Sequence, residues 1–427
     1  MDLSPVRGCR DFLSGEAVKR GEALAALKRV FESYGFNPLE TPALESLEVL
    51  LSKYAGGSEI LKEVYKLEDQ GGRSLGLRYD LTVPLCRVIA GNPRLALPFK
   101  RYQTQSVWRD GPIKAGRYRE FTQCDVDIVG IEGVRADAEL AALAFDAFQA
   151  LGLEVEMRAN NRKLLNALLA RQGVPDEKRN GAILALDKLE KLGAEGVLAE
   201  LVGERALAAG IAKKLLIEFK ELDALDNKAF LKRAKGLDGA SELAEFLELA
   251  EAMGAPAGFV RLQASLARGL AYYTGTVFEV FLKNGAIKSS LAAGGRFDGL
   301  VGAFSGKPLP AVGLSFGLDV ICEALPASEK KSVASILVAP VSDGEREFNA
   351  ALAYARALRA LGVNALTDLK GRSPSKNAEW ASKQGVAFVA FVGSEEASGK
   401  ARVKDLASGE EAELSAQEAA GRVKQRF

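Results

Sequence analysis

Two neighbouring stretches of the chain alternate between apolar and polar side chains, and this pattern constrains the fold more than any other feature. The stretches FKRYQTQSVWR and EFTQCDVDIVG are separated by a loop that contains Gly111, Pro112 and Gly116. Alternation with period two is typical of strands that bury one face, and a loop of this kind joins such strands into an antiparallel hairpin. The sequence therefore predicts a hairpin with a long loop and one polar face.

The polar face of this hairpin carries a distinctive set of side chains. They are Arg101, Gln103, Gln105 and Arg109 on the first strand, and Arg117, Arg119, Gln123, Asp125 and Asp127 on or before the second. A solvated face is the ordinary alternative in an antiparallel sheet. Arginine, however, presents a planar charged fork that suits phosphate, whereas carboxylates and amides suit amines and ring N–H groups. A site for ATP and an amino acid needs both kinds side by side.

The chain of 427 residues contains no histidine. This excludes imidazole general bases, Ser-His and Cys-His nucleophilic sites and histidine metal ligands. Its 4 cysteines lie far apart without a CxxC pair, so we expect no metal site and no disulfide framework, but reduced thiols in a cytoplasmic protein. The remaining polar groups favour phosphoryl or nucleotidyl transfer, which works through positioning and charge stabilisation.

The bulk composition is that of a globular protein with more than one domain. The apolar fraction is 48%, the charged fraction is 26%, and the net charge of +1 gives no overall attraction to nucleic acid or membrane. The first residues lack the apolar core of a signal peptide, and no apolar run reaches membrane-spanning length. At this length we expect two or three domains and no membrane association.

The periodicity of apolar residues changes along the chain and predicts its organisation. Strand-like pieces dominate residues 64–128, helical spacing dominates residues 160–253, and strands return at GTVFEVFLKNG. Beyond a linker-like segment at 327–332, strands and helices alternate, which indicates an α/β domain with a mostly parallel sheet. The expected domains are a core at 1–160 and 256–326, a helical insertion at 161–255 and a C-terminal α/β domain at 333–427.

Three further motifs contain candidate functional residues. In ARGLAYYTGTVFEV, Tyr272 and Tyr273 are adjacent, so on a strand they would point to opposite faces and at most one would line a pocket. In AAGGRFDGLVG the glycine pair permits a close backbone approach and the Asp-Gly pair predicts a plain turn, without the GxGxxG spacing of a dinucleotide site. In LGLRYDLTVPL, Asp80 and Thr82 are expected to share a strand face, with a structural aspartate as an equal alternative.

Together these motifs resemble those of histidyl-tRNA synthetases, in their archaeal and eukaryotic style. The segments are RYDLTVPL, RYQTQSVWRDGPIKAGRYREFTQCDVDIVG, RGLAYYTGTVFEV and AAGGRFDGLVG. The resemblance extends to RGCRDFL at the start and to ILVAPV and LTDLKGRSPSKNAEWASKQGVAFVAFVG near the end, so it spans nearly the whole chain in the correct order. The hairpin and the Arg-Gly-Leu-x-Tyr-Tyr element are its most specific parts.

The resemblance implies an α+β fold: a class II synthetase core of antiparallel sheet flanked by helices, with a helical insertion and a C-terminal α/β anticodon-binding-like domain. It implies a homodimer, with Pro42 matching the proline of the first, dimer-forming motif. Arg109 matches the arginine that holds the ATP α-phosphate and the substrate carboxylate, and Arg117 matches a second ATP-contacting arginine. Arg268 matches the arginine that steadies the α-phosphate during adenylation.

The same resemblance implies a histidine–tRNA ligase that uses ATP, with Mg²⁺ carried by the nucleotide, and tRNA-His as partner. Asp80 and Thr82 match the pair that receives the substrate α-amino group, with Gln123 beside them. Asp127 matches the acidic residue that reads one imidazole nitrogen, and Tyr273 matches the tyrosine that reads the other. Arg119 and Asp125 receive no role, and a supporting ion pair between them is the simplest interpretation.

Several positions depart from the family pattern. Ala271 replaces an aspartate, Phe297 replaces a tyrosine, and Gly111 replaces an acidic residue for which the neighbouring Asp110 is a possible substitute. Val320 stands where the third motif usually has an arginine that grips the γ-phosphate.

These departures keep two alternatives open. One is a histidine-sensing regulatory subunit of ATP phosphoribosyltransferase; such paralogues usually lack the C-terminal domain and degrade the hairpin arginines. The other is a tRNA-sensing protein without adenylation. This chain has the C-terminal segment together with Arg109, Arg117 and Arg268, which favours the synthetase.

Overall fold

The computed structural model describes residues 1–52, 60–113, 116–268, 272–285, 287–327, 330–393 and 399–426. The chain divides into two compact units. The first, larger unit contains residues 1–10 and 23–325, and the second contains residues 11–22 and 326–427. The predicted linker at 327–332 lies partly outside the described residues, as does Ala271.

The described helices and strands are interspersed along the chain, with one long run of helices between β7 and β8. The strands are β1 (Asn37–Pro38), β2 (Leu44–Ser46), β3 (Lys66–Glu68), β4 (Ser74–Leu77), β5 (Phe99–Trp108), β6 (Glu120–Val129), β7 (Val155–Asn161), β8 (Val260–Leu262), β9 (Thr276–Leu282), β10 (Ala292–Arg296), β11 (Ala311–Gly317), β12 (Ile336–Pro340), β13 (Ala365–Thr367), β14 (Phe388–Val392), β15 (Lys400–Asp405) and β16 (Glu411–Ser415). The helices are α1 (Ser14–Ser33), α2 (Leu47–Leu50), α3 (Thr82–Gly91), α4 (Arg135–Ala150), α5 (Arg162–Arg171), α6 (Asp176–Leu186), α7 (Leu189–Gly203), α8 (Ala209–Asp223), α9 (Asn227–Ala234), α10 (Ala240–Ala252), α11 (Asp298–Ser305), α12 (Leu318–Ala324), α13 (Glu345–Ala360), α14 (Pro374–Lys383) and α15 (Ala416–Arg426), with a short 3₁₀ helix at Ile60–Glu63.

The first unit is built on an eight-stranded sheet with the strand order β1-β5-β6-β11-β10-β9-β7-β8. The predicted hairpin is present: β5 and β6 pair antiparallel from Phe99↔Val129 to Trp108↔Glu120. Neighbouring strands are antiparallel except β1 with β5 and β7 with β8, which are parallel. The fold is therefore the expected α+β arrangement, a largely antiparallel central sheet flanked by helices.

One face of this sheet is covered by an apolar core that explains the alternation in the sequence. Cys124, Val126 and Ile128 of β6 are buried there, as the period-two pattern predicts. Phe316 of β11 lies 5.3 Å from Phe31 of α1 and 5.5 Å from Phe148 of α4, measured between ring centroids. The opposite, polar face of the same strands is thereby turned toward the segments that form the site.

A run of six helices, α5 to α10, connects β7 to β8. Two of these helices begin at side-chain caps: Asn161 accepts from the backbone N–H of Lys163, and Asp226 accepts from that of Ala229. Their leucines and phenylalanines recur at helical spacing and are buried in the core of the first unit, for example Phe219 and Phe246.

The second unit contains a five-stranded sheet with the order β13-β12-β14-β15-β16. The expectation of a mostly parallel sheet is wrong for half of the pairs: β12 is parallel to β13 and β14, but β15 is antiparallel to both of its neighbours. For β15 and β16 the reason is the connection between them, which is too short for the crossover that parallel strands require. Asp405 closes this turn by accepting from the backbone N–H of Ala407.

Among the described residues, no helix is long and apolar enough to cross a lipid bilayer.

Candidate active site

A cavity lies over the polar face of the large sheet. Its wall contains the residues that the sequence singled out for the amino acid and for the α-phosphate: Asp80, Thr82, Arg109, Gln123, Asp127, Arg268 and Tyr273. Asp80 and Tyr273 are 193 positions apart in the chain. The seven residues come from three loops, the start of α3 and one strand, β6. The tertiary fold therefore brings together all but one of the predicted histidine and ATP contacts.

The floor of the cavity follows the register of β5, β6 and β11. Gln123, Asp125 and Asp127 lie on one face of β6, and their partners on β5 are Gln105, Gln103 and Arg101. On the other side of β6 the partners are small, namely Gly317, Ser315 and Gly313. Because small residues carry little or no side chain, the floor is open above β11 and polar above β5.

At one end of the floor, glycines leave room for the two side chains that are predicted to bind the imidazole ring. A Cβ added to Gly313 would lie 2.0 Å from Asp127 Oδ1, and a Cβ added to Gly295 would lie 3.0 Å from the ring of Tyr273. Gly295 and Gly313 are direct partners across β10 and β11. The carboxylate and the phenol therefore lie over adjacent backbone positions, and the AAGGRFDGLVG motif serves the close approach that its glycines permit.

Asp127 is held from beneath by Arg101, which the sequence placed on the polar face without a role. The two side chains form an ion pair of 2.7 Å in which Arg101 is fully buried. Arg101 also donates to the carbonyl of Leu81 and to the side chain of Gln103. The sequence predicts that Arg101 lies on the polar strand face, but it does not predict that Arg101 pairs with Asp127 on the neighbouring strand.

The two adjacent tyrosines contradict the sequence prediction. They do not lie on a strand, since β9 begins only at Thr276, and both line the cavity with ring centroids 4.8 Å apart. Tyr272 is therefore a site residue that the strand assumption missed. Burial raises the pKa of both Tyr272 and Tyr273, so both phenols keep their protons at neutral pH and can donate a hydrogen bond.

Asp80 and Thr82 also do not share a strand face, because β4 ends at Leu77 and Thr82 begins α3. Asp80 Oδ1 accepts from the backbone N–H of Val83 at 3.0 Å, in the first turn of α3. The structural and the ligand interpretations of Asp80 are thus compatible, because one carboxylate oxygen serves the helix while the residue lines the cavity.

The Asp-Gly pair at 298–299 is likewise not a plain turn but the start of α11. Asp298 Oδ1 accepts from the backbone N–H of Ala311 and from Arg296, and this fixes the junction between β10 and the helix. Since β10 is antiparallel to both of its neighbours, the junction is unlike that of a dinucleotide-binding unit, as the sequence indicated.

The predicted arginines fall into two groups. Arg109 and Arg268 line the cavity: Arg109 donates to the carbonyl of Tyr79 at 2.9 Å, and Arg268 forms an ion pair with Glu279 of β9. Arg117 does not line the cavity. Its half-exposed guanidinium pairs with Glu63, at 2.6 Å from Oε1.

The interpretation of Asp110 and Arg119 changes. Arg119 pairs with Asp110 at 3.1 Å rather than with Asp125, so Asp110 does not stand in for an acidic residue at position 111. That space is filled by Glu63, whose Oε1 would lie 2.7 Å from a Cβ added to Gly111. The absence of a side chain at Gly111 thus admits the carboxylate that holds Arg117.

The two remaining departures also have a place in the fold. Phe297 lines the cavity with its ring 6.1 Å from that of Tyr272. Val320 lies in α12, partly buried against the apolar core, and its Cγ2 would contact a Cβ added to Gly116 at 3.8 Å. Beside it, Asp319 is held by Arg10 at 2.6 Å.

The cavity is rich in buried carboxylates. Burial raises the pKa of Asp80 to about 6, and it also raises the pKa values of Asp125 and Asp127, which the Arg101 guanidinium opposes. Burial lowers the pKa of Arg109, and Asp80 opposes that shift. A cationic ligand in this cavity would favour the ionised form of these carboxylates.

Within the described part of the chain, no group of three or more His, Cys, Asp or Glu side chains is arranged to hold a metal ion.

Comparison with known proteins agrees with the site. Residues 8–321 match the family model described as histidyl-tRNA synthetase, and residues 335–426 match the model described as anticodon binding domain. A protein named histidine–tRNA ligase 1 from Bacillus anthracis is 43% identical over 403 residues, which cover 93% of each chain.

Two solved structures are also similar. The histidyl-tRNA synthetase from Nostoc sp. PCC 7120 has a TM-score of 0.87 and 30% identity and covers 100% of both chains. A structure described as an ATP phosphoribosyltransferase regulatory subunit/histidyl-tRNA synthetase from Bacillus halodurans has a TM-score of 0.76 and 25% identity, and it covers 92% of this chain and 98% of its own. On the match of both family models and the identity to a full-length relative, the chain belongs to the histidyl-tRNA synthetase family of aminoacyl-tRNA synthetases.

Proposed function

We propose that this chain is a histidine–tRNA ligase, which joins L-histidine to ATP and then passes the histidyl group to the 3′ end of tRNA-His. The observation that carries the proposal is the composition of one cavity wall. Arg109 and Arg268 lie there with Asp127 and Tyr273, so phosphate-binding and ring-binding groups face the same space. A cavity that served histidine alone would have no need of two arginines.

The amino acid is recognised at both of its ends. Asp80, Thr82 and Gln123 take the α-amino group, and Asp127 and Tyr273 contact the two ring nitrogens. An imidazole can donate from one nitrogen and accept at the other, so a carboxylate and a protonated phenol satisfy both atoms. A substrate without these nitrogens leaves buried polar groups unpaired, and this penalty excludes it.

The first chemical step needs no protein base. An oxygen of the histidine carboxylate attacks the α-phosphorus of ATP, a new P–O bond forms, and the bond to pyrophosphate breaks with its electron pair on the leaving group. Arg109 binds the carboxylate and the α-phosphate, and Arg268 stabilises the charge that develops on the α-phosphate oxygens. Arg117 contacts the outer phosphates, and Mg²⁺ enters with the nucleotide.

Arg109 and Arg117 differ in the partners that they must release in order to bind ATP. Arg109 contacts only a neutral carbonyl and aromatic ring in the described structure, the ring of Phe121 lying 5.0 Å from its Cζ. Arg117 must instead exchange the Glu63 carboxylate for a phosphate, because its guanidinium is already paired.

The remaining parts of the chain are assigned by the same proposal. The catalytic core consists of residues 1–160 and 256–326, and the anticodon-binding domain consists of residues 333–427. Residues 161–255 form a helical insertion beside the tRNA acceptor end. The whole protein acts in the cytoplasm. We expect a homodimer formed through the segment around Pro42. Pro42 is exposed, and its carbonyl accepts from Arg78 at 3.2 Å, which fixes the segment at the edge of the small sheet formed by β2, β4 and β3.

The regulatory-subunit alternative is not favoured. Both cavity arginines are in place, the C-terminal domain matches an anticodon-binding model, and a relative named as a ligase aligns with 93% of the chain. The tRNA-sensing alternative without adenylation also leaves Arg109 and Arg268 without a use.

Histidine-dependent exchange of pyrophosphate into ATP tests the proposal. The purified chain with Mg²⁺ is expected to show exchange with L-histidine and none with L-phenylalanine or L-glutamine. Arg268→Ala is expected to reduce the rate about 100-fold or more, since loss of one charge-stabilising donor typically costs this much. Arg233→Ala is the matched control, because Arg233 lies on α9 with its side chain 61% exposed. Absence of exchange in the unaltered chain, or full exchange in Arg268→Ala, contradicts the proposal.

A further inference from the structure

Asp125 is a buried carboxylate of the cavity to which the proposed mechanism gives no task. It lies on β6 between Gln123 and Asp127, lines the cavity, and is only 3% exposed. Among the described residues, its Oδ1 has no hydrogen-bond partner. A buried acceptor left in this state carries a desolvation penalty, so its presence in a cavity wall points to a ligand that donates to it.

The position of Asp125 is set by Ser315, its direct partner on β11. The Ser315 side chain hydrogen-bonds Asp125, and its Oγ accepts from Gln123 Nε2 at 2.9 Å. Gln123 Oε1 is also buried and has no hydrogen-bond partner among the described residues. The Ser315 hydroxyl therefore bonds both side chains, and each of them keeps one acceptor oxygen without a partner among the described residues: Oδ1 of Asp125 and Oε1 of Gln123.

No other neighbour in the described part of the chain forms an ion pair with Asp125, although the Arg101 and Arg109 guanidiniums partly oppose the effect of burial on its pKa. Gln103, opposite it on β5, uses its amide hydrogens on Thr41 and Gln105. Arg101 is paired at 2.7 Å with Asp127, which is the nearer carboxylate. Asp125 is therefore hydrogen-bonded to a neutral hydroxyl and has no ion pair among the described residues, and such a carboxylate favours a cationic ligand.

The ligand group that fits is a primary ammonium, which has three donors and no acceptor. An imidazole nitrogen offers a single N–H and serves only one of the two oxygens. We propose that Asp125, fixed by Ser315, binds the α-ammonium group of the amino-acid substrate together with Gln123. This inference rests on the proposed function, because it takes the substrate to be an α-amino acid.

Asp80 does not make Asp125 redundant. The Asp80 carboxylate is already engaged by the backbone N–H of Val83 at the start of α3, so it is not wholly available to a ligand. With Asp125 opposite, the ammonium is bracketed by two carboxylates while Arg109 takes the substrate carboxylate.

The test compares ligands that differ only in the ammonium. Equilibrium binding is measured by calorimetry for L-histidine, for histidinol, which keeps the ammonium, and for 3-(imidazol-4-yl)propionate, which lacks it. Asp125→Asn is expected to weaken L-histidine and histidinol about 10- to 100-fold, the size typical of a lost charged hydrogen bond. Its effect on the propionate is expected to be less than about 3-fold on the same scale. Equal weakening of all three ligands, or none, overturns the inference.

A second readout uses the absence of histidine from the chain, which makes every imidazole signal in the complex a substrate signal. With ¹⁵N-labelled L-histidine at saturating concentration, Asp125→Asn is expected to leave both ring nitrogen shifts unchanged. A large change of a ring shift would show that Asp125 contacts the imidazole and would overturn the inference. Ser315→Ala is expected to weaken the ammonium ligands in the same pattern but less.

Control variants separate folding and function from the inference. Asp226→Asn keeps a capping side chain at α9, which contributes no residue to the cavity wall, and is expected to bind all ligands normally. If the unaltered chain binds no L-histidine, the proposed function itself fails. If the unaltered chain binds L-histidine, but Asp125→Asn weakens the ligands with an ammonium group no more than the propionate, only the role of Asp125 fails.

Discussion

The guanidinium of Arg101 lies 2.7 Å from the carboxylate of Asp127, and both side chains are buried in the sheet. The same guanidinium donates to the carbonyl of Leu81, immediately before α3. One side chain on β5 thus ties β6 to the segment that positions Asp80 and Thr82. The two ends of the substrate pocket share a single structural support.

Removing this support is expected to destabilise the first unit. Arg101→Gln leaves the Asp127 carboxylate buried without a counter-ion, and breaking one partner of a buried pair typically costs about 3–5 kcal/mol. Urea denaturation followed by far-ultraviolet circular dichroism measures the free energy of unfolding. The double variant Arg101→Gln/Asp127→Asn is expected to recover part of the loss. A loss below about 1 kcal/mol, the size typical of an exposed pair, would show that Asp127 does not depend on Arg101.

Gly313 is expected to tolerate no methyl group, because a Cβ there would lie 2.0 Å from Asp127 Oδ1. Gly313→Ala therefore displaces the carboxylate and is expected to raise the KM for histidine about 10- to 100-fold, with a smaller change in the KM for ATP. Steady-state pyrophosphate exchange separates the two constants. Gly91→Ala is the control, since no atom lies within 4 Å of a Cβ at that position. An unchanged histidine KM in Gly313→Ala would contradict the placement of Asp127.

Asp80 is expected to make stability fall as pH rises. Burial raises its pKa from 3.8 to about 6, so between these values the folded state binds more protons than the unfolded state. The free energy of unfolding then decreases through this window, by up to about 3 kcal/mol for a shift of this size. Asp80→Asn removes the penalty, so it is expected to stabilise the chain at pH 8 more than at pH 4.5, and to weaken histidine binding. Equal effects at both pH values would contradict the raised pKa.

Asp368 in the second unit is expected to act in the opposite direction. It is 2% exposed, and although burial alone would raise its pKa, hydrogen bonds from Asn377 and from the backbone N–H groups of Arg372 and Lys370 lower it overall. Its contribution to stability is therefore present at neutral pH and is lost as pH falls through the lowered pKa. Asp368→Ala is expected to cost about 1.5–3 kcal/mol at pH 7.

The measurement for Asp368 can be confined to its own unit. The chain has 2 tryptophans, Trp108 and Trp380, and Trp380 lies on α14 with Arg372 4.5 Å from its ring. In a Trp108→Phe background, tryptophan fluorescence reports the unfolding of the second unit alone. A Trp380 transition that is insensitive to Asp368→Ala at pH 7 would contradict the prediction.

Glu279 is expected to position Arg268 for the chemical step. The two side chains form an ion pair across the cavity wall, and a misplaced catalytic group typically costs up to about 100-fold in rate. Glu279→Gln keeps the shape but removes the charge, so the exchange kcat is expected to fall about 10-fold or more while the KM for histidine changes little. A change in KM alone would indicate that Glu279 acts on amino-acid binding instead.

The sequence predicted the sheet-forming hairpin and its polar face because period-two alternation is a local property of the chain. Gln123, Asp125 and Asp127 were placed on one face, and the structure has them there. The sequence-based prediction was wrong for two pairs of residues, Tyr272 with Tyr273 and Asp80 with Thr82, because it assumed that a strand includes them. Strand ends are set by where pairing with a partner strand stops: β4 ends at Leu77, which pairs with Leu44 at the start of β2, and β3 begins opposite Gly76.

By itself, the sequence determined which chemical groups the site has: arginines, carboxylates and tyrosines, with no histidine. The tertiary structure decided which of them act together. Asp127 meets Arg101 across the hairpin, Glu63 rather than Asp110 fills the space at Gly111, and Ser315 joins Asp125 to Gln123. These pairings depend on strand register and on the packing of segments remote in the chain, and neither is encoded in the local spacing of residues.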